Sequence, residues 1–266
     1  MSTYKTNRRH LKEKRGVARY LATLQLGFVV SLTLWSLGCN RASDKKNDAR
    51  ADRTEAELSA GREASLAEQI AEVRAGKNRE VRLEQTRISA AELSQLEGLS
   101  GLRTLILDAG IVRDEDVDKL ATLVGLEHLR LRESPLSDAG LAQLSGYPLD
   151  SLVILNLPQA TPTAAGLRAL QRLPRVRQLR IAGMQIDDAA VEELAKWPEL
   201  TSIHLIGPAL SDRALETIAR MPKLSSFYLD DCPLSDAAWE ALFRARPTLH
   251  VHIDQAHHDR DPSADH

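Results

Sequence analysis

An apolar skeleton that returns every 24 residues constrains this chain more than any other feature. In one unit it reads Leu102, Leu105, Leu107, Val112, Val117, Leu120 and Leu123. Moved forward, the frame lands on Leu126, Leu129, Leu131, Leu136, Leu141 and Leu144, and later on Leu200, Ile203, Leu205, Leu210, Leu215 and Ile218. The last apolar residue of each L-x-L piece falls at Leu83, Leu107, Leu131, Leu157, Ile181, Leu205, Leu229 and Ile253, so successive steps are 24, 24, 26, 24, 24, 24 and 24 residues. Two extra residues around Tyr147 to Ser151 account for the longer step. Seven full units plus a terminal strand, Val251 and Ile253, therefore fill residues 78–253, and self-similarity at this period belongs to a solenoid.

Each unit has a physical reading. The L-x-L piece alternates as a strand with one buried face does. Six residues after its last apolar position stand Ser89, Ser137, Thr163, Asp187, Ser211 and Ser235, whose oxygens suit a helix N-cap. Asp138, Asp188, Asp212 and Asp236 come next, where the helix dipole favours a carboxylate. Arg113 breaks the capping column, and Asp114 is the candidate to replace it. Leu141 and Leu144 exemplify the buried stripe of each helix, and Pro174, Pro198, Pro222 and Pro247 prevent continuation beyond it. Arg168 and Glu192 fall on outer helix surfaces, where substitution is expected to change little.

Such units cannot bury their apolar faces alone, so neighbours must stack. Parallel strands stack about 4.8 Å apart and packed helices about 8 to 10 Å, so the array must curve with strands inside the arc. The units resemble leucine-rich repeats, with "SDAGLAQL" and "SDRALETI" as the helices, and Leu224 to Leu242, with Cys232 before "PLSDAAW", resembles the cysteine-containing class. The resemblance implies an α/β fold: a right-handed leucine-rich-repeat solenoid, a curved horseshoe with parallel strands on the concave face and α-helices on the convex face.

The first 38 residues differ in kind. Seven basic residues against the single acid Glu13 precede an uncharged stretch from Leu21 to Leu37, the layout of an export signal. The run Trp35, Ser36, Leu37, Gly38, Cys39 resembles a bacterial lipobox, which implies lipid attachment at Cys39. The same apolar run approaches the roughly 20 residues that span a bilayer, so residues 1–38 read as signal peptide or membrane anchor. Without them the chain carries a net charge of −8, which removes the electrostatic basis for binding nucleic acid. Residues 39–60 are charged and poor in core formers, and read as a disordered tether. Residues 61–77 place Leu66, Ile70 and Val73 on one helical face, an N-terminal capping helix for the solenoid, and residues 254–266 read as a disordered tail.

With Cys39 given to lipid, Cys232 is the only thiol left, and it suits a packed turn. His257, His258, Asp259, Asp261 and His266 match no ordered metal motif. His250 and His252 share a face without a third ligand beside them, and His204 lies two strands from His252, so no metal site is expected. No phosphate loop, nucleophile elbow or close carboxylate pair appears; neither an enzyme nor a cofactor is expected.

That leaves the exposed strand positions. The residue between the two strand apolars is Arg82, Ile106, Arg130, Asn156, Arg180, His204, Tyr228 and His252 in successive units. The next outward column is Glu84, Asp108, Arg132, Pro158, Ala182, Ile206, Asp230 and Asp254. Arg82, Arg130, Arg132, Asn156, Arg180, His204, Tyr228 and His252 are the candidate partner-binding residues. Arg130, Arg132 and Arg180 are expected to be unpaired, since Asp108 and Asp230 sit at least one strand away, and so to recognise an acidic protein surface. The expectation is a monomeric protein-binding module held to the membrane at Cys39 or through residues 21–37, with the repeats outside the cytoplasm. An envelope structural protein binding a glycan is the alternative, though only 4% of the residues are aromatic. A substrate receptor of the ubiquitin-ligase type, suggested by the cysteine-containing repeats, is disfavoured by the signal.

Overall fold

The structure is a computed structural model that describes residues 64–257. The export signal, Cys39, the tether, residues 61–63 and the tail from His258 onward lie outside the described residues.

The chain alternates short strands and short helices. Helix α1 (Leu66–Arg74) leads into β1 (Glu80–Leu83), a single turn α2 (Ala90–Leu93) and a 3-10 turn (Ser94–Leu96). Then come β2 (Thr104–Leu107), a 3-10 helix (Asp114–Leu120), β3 (His128–Leu131), α3 (Asp138–Leu144) and β4 (Ile154–Leu157). Helix α4 (Ala164–Leu170), β5 (Gln178–Ala182), α5 (Asp188–Leu194), β6 (Ser202–Ile206) and α6 (Arg213–Ala219) follow. The array closes with β7 (Ser226–Asp230), α7 (Asp236–Ala245), β8 (His250–Ile253) and β9 (Ala256–His257). All strands lie in one sheet in sequence order, β1 to β8 parallel.

The register carries the period directly: Leu105 faces Leu129 and Ile203 faces Phe227, each one unit apart. Between β3 and β4, Leu129 faces Leu155, so the two extra residues are absorbed in the connection after α3 and the ladder continues undisturbed. The whole skeleton of the unit from Leu102 to Leu123 is at most 1% exposed. Burying each such leucine contributes about 1.5 to 3 kcal/mol, and the buried residues of successive units form one continuous core.

The caps follow the sequence column with one revision. Ser89, Ser137, Thr163, Asp187 and Ser235 each accept from a backbone N–H in the first helical turn. Ser211 does so for Arg213 N–H at 3.4 Å. Arg113 supplies no side-chain oxygen, and its unit winds as a 3-10 helix instead of an α-helix. Asp114 does not take over the cap. Its carboxylate reaches into the next unit, accepting from Ser137 N–H at 2.9 Å and from the Ser137 hydroxyl.

That arrangement recurs. Asp138 accepts from Thr163 N–H (2.8 Å) and hydroxyl (2.5 Å), Asp188 from Ser211, and Asp212 from Ser235. The acid after each cap is therefore a clasp between units. Where that acid is absent, at Ala90 and Ala164, the next cap is Arg113 or Asp187 rather than Ser or Thr. An Asp facing Asp187 would repel it, and no hydroxyl there could donate. The gap between α4 and α5 is bridged otherwise: Arg168 binds Glu193 at 2.8 Å and Gln171 donates to the Glu193 carbonyl at 3.0 Å. Arg168 is thus not a bystander on the helix surface, because its partner Glu193 is buried.

Both sheet edges are covered. Gln69 of α1 lies against Arg82 of β1. After Ile253 the chain does not run off as a tail: Asp254 and Gln255 both adopt positive φ, the two-residue turn that hairpins require, and Ala256–His257 returns antiparallel to β8. Asp230 and Asp254 fix this turn by accepting from the Gln255 and Asp231 N–H groups. Among the described residues no helix is long and apolar enough to cross a membrane.

Candidate functional site: the concave sheet

The parallel register places Arg82, Ile106, Arg130, Asn156, Arg180, His204, Tyr228 and His252 in one row across β1 to β8. The row is not uniform, and its chemistry changes from one end to the other.

At the first strand, Arg82 is engaged along its own strand by Glu80 (2.5 Å) and Glu84 (2.9 Å), and the hydrogen bond it donates to Glu84 leads in raising its pKa above the ordinary arginine value. Its charge is already matched. Ile106, in the same row, is 1% exposed and offers nothing polar.

The centre carries the excess charge. Arg130 meets Asp108 at 2.5 Å and Arg132 lies 3.7 Å from the same carboxylate. This overturns the expectation that these guanidiniums stand unpaired. Asp108 follows β2 directly and sits beside Arg132 in register, while Arg130, two residues earlier, shares its face. Diagonal neighbours in a sheet lie roughly 7 to 8 Å apart, a gap an arginine spans easily. One buried carboxylate thus serves two cations. Arg180 makes no ion pair among the described residues, and burial, then the charges of Arg132 and Arg130, push its pKa below the ordinary value, with Asp230 opposing. His128, beside this cluster, is likewise pushed down, first by burial and then by Arg82 and Arg130.

Four side-chain atoms here are buried without a hydrogen-bond partner: Asp108 Oδ1, Arg130 Nε, Asn156 Oδ1 and Arg180 Nε. Buried polar groups are nearly always satisfied, and each that is not costs about 1 to 3 kcal/mol. Their concentration on β2 to β5 marks a place that lacks its complement.

Toward the last strands the row becomes a ring ladder. His204 Nε2 lies 2.8 Å from Asp230 Oδ2. The His204 and Tyr228 rings are 5.4 Å apart, and Tyr228 stacks on His252 at 4.7 Å. His250 and His252 bring their Nε2 atoms to 2.8 Å, one donating and the other accepting. The sequence placed Tyr228 and the histidines on this face but gave no sign of Asp230 serving both His204 and the β9 turn. Cys232 is buried at the turn after β7, where burial raises its thiol pKa.

No family model matches the chain, and neither does any curated protein. Solved structures do. An internalin C2 from Listeria monocytogenes superposes with a TM-score of 0.51 at 23% identity, over 68% of this chain and 73% of that one. An internalin F from the same organism gives 0.51 at 18% identity, over 71% of this chain and 51% of its own. The chain thus spans about half the length of the second. The fold is a leucine-rich-repeat solenoid. Its strands form the concave face and its helices the convex one, so the row from Arg82 to His252 crosses the inner surface of the array.

Proposed function

We propose that this solenoid is a non-enzymatic protein-binding module that uses its concave sheet from β3 to β8, exported from the cytoplasm and tethered to the cell envelope through Cys39. The observation that carries the reading is the under-neutralised centre: Arg130 and Arg132 share one carboxylate, Arg180 makes no ion pair among the described residues, and the Nε donors of Arg130 and Arg180 lack acceptors. A rigid sheet that holds such groups in place loses little entropy on binding. The cationic centre favours an acidic partner, and the half-buried Tyr228, two strands on from Arg180, is of the residue type that anchors interfaces.

The test is photo-crosslinking in native membranes with p-benzoylphenylalanine at Tyr228 on the sheet or at Arg172 on the helix side. A partner band from the sheet position alone supports the reading, particularly if Arg130→Glu with Arg180→Glu abolishes it. Equal bands from both positions would place binding elsewhere. For the anchor, mature protein should begin at Cys39 and carry an acyl mass; chain that still starts at Met1 with Cys39 unmodified would replace the lipoprotein by an uncleaved membrane segment.

A further inference from the structure

The arginine cluster is asymmetric in a way that names its ligand. Arg130 and Arg132 share Asp108, while Arg180, two strands from Arg130, makes no ion pair among the described residues and, of the acids, feels only the field of Asp230. Between them in the row stands Asn156, whose side chain is much shorter than either arginine, and beyond it the outward column has Pro158 and Ala182. A short residue flanked by long ones leaves a notch in the row, with Arg180 on one side and Arg130, turned toward Asp108, on the other. Strands about 4.8 Å apart put the two walls roughly 10 Å apart at the backbone, so their guanidiniums can converge over Asn156. The unpartnered buried Nε atoms of Arg130 and Arg180 both lack an acceptor.

Resting on the concave-face reading above, we infer that this notch takes one carboxylate from an acidic side chain of the protein partner, gripped between Arg180 and Arg130, and that Asp108 is a resident carboxylate competing for the same cations. Asp108 holds Arg130 on the β2 side, turned toward its own carboxylate. An incoming glutamate or aspartate gains Arg180 fully and Arg130 only by sharing it. The geometry accounts for the burial of Asp108, whose side chain is 8% exposed, so that it neutralises the cluster without itself offering a surface. It also makes affinity adjustable at a position that never touches the partner.

The experiment uses the full chain in detergent and a fluorescein-labelled tetraglutamate peptide, with tetraglutamine as control, read by anisotropy. Arg180→Gln should weaken tetraglutamate binding by about tenfold or more, the loss of one bidentate charge-assisted contact. Asp108→Asn, nearly isosteric, should tighten it by about three- to tenfold, because the competitor is gone. Arg172→Gln should leave it unchanged. Melting curves check that each variant is folded, and the wild type gives an independent reading: the Arg180 Nε–H resonance should shift on titration with acetate. Acetate should displace the peptide better than inorganic phosphate at equal charge concentration. Binding by Asp108→Asn no tighter than wild type overturns the competitor role, and wild-type affinity in Arg180→Gln overturns the notch. Stronger displacement by phosphate assigns the notch to phosphoryl groups and overturns the carboxylate. Loss of tetraglutamate binding altogether, while the Tyr228 crosslink persists, overturns this inference and leaves the concave-face reading standing.

Discussion

The side-chain amide of Gln69 binds both backbone groups of Arg82: Nε2 donates to its carbonyl at 2.8 Å and Oε1 accepts from its N–H at 2.7 Å. One side chain thereby imitates the strand that would have preceded β1. An open parallel edge is a template for pairing with other chains, and Gln69 occupies its middle.

Gln69→Leu should therefore do more than lower stability by the roughly 1 to 3 kcal/mol of two unsatisfied backbone groups. It should also raise light scattering on warming, because the freed edge recruits other chains. Gln69→Glu, which still accepts from the N–H but cannot donate, should fall between. A Gln69→Leu protein that melts and scatters like wild type would mean that α1 alone protects the edge.

Gly140 tests the clasps by inverting a familiar sign. Glycine to alanine within a helix ordinarily stabilises by about 1 kcal/mol. Here a Cβ on Gly140 would collide with Asp114 Oδ1, the atom that receives Ser137 N–H. Gly140→Ala should destabilise by about 1 to 3 kcal/mol, as overpacking does. Adding Asp114→Ala should make the same alanine neutral or favourable. Urea denaturation of the four proteins in this cycle gives the answer.

The register itself is tested in the core. Leu155 and Leu179 face each other on β4 and β5 and are 0% and 2% exposed, so Leu→Ala at either should cost about 2 to 5 kcal/mol. Arg172→Glu, on the exposed helix side, should stay within about 0.5 kcal/mol. Comparable losses at both kinds of site would contradict the packing described.

Glu193 sets an acid limit. Hydrogen bonds from Arg168 and then Lys196 lower its pKa from 4.5 to about 2. A carboxylate depressed in the folded state contributes stability above its unfolded pKa, and that contribution is lost as pH falls from about 4.5 to about 2. Replacing Arg168 and Lys196 by Met should lower stability at neutral pH and flatten its decline across that window. Urea midpoints from pH 6 to about 2 would show the change in slope, and an unchanged slope would mean that other carboxylates dominate.

The strands, the buried faces, most of the caps and the place of the insertion were legible in the sequence, because a period of two inside a period of 24 leaves one register that buries the strand leucines. The clasps were not. An Asp after a cap is equally well explained by the helix dipole, and only the structure distinguishes Asp114 stabilising its own helix from Asp114 holding Ser137. The ion pairs of the concave centre escaped for a similar reason: rows and columns keep Arg130 apart from Asp108, whereas a flexible guanidinium reaches along the diagonal. Gln69 acts across 13 residues with a backbone partner, a relation no pattern of side chains encodes.

The missing clasp between Ala164 and Asp187 divides the convex side into two runs, one held by the Asp114 and Asp138 clasps and the other by those of Asp188 and Asp212. At the joint between those runs the outer side is tied instead by the Arg168 to Glu193 ion pair and the Gln171 bond. The inner side of that joint is the β4 to β5 boundary, where Asn156 and Arg180 stand side by side. Salt, which screens an ion pair, would loosen the outer tie of this one joint while the hydroxyl clasps on either side of it hold.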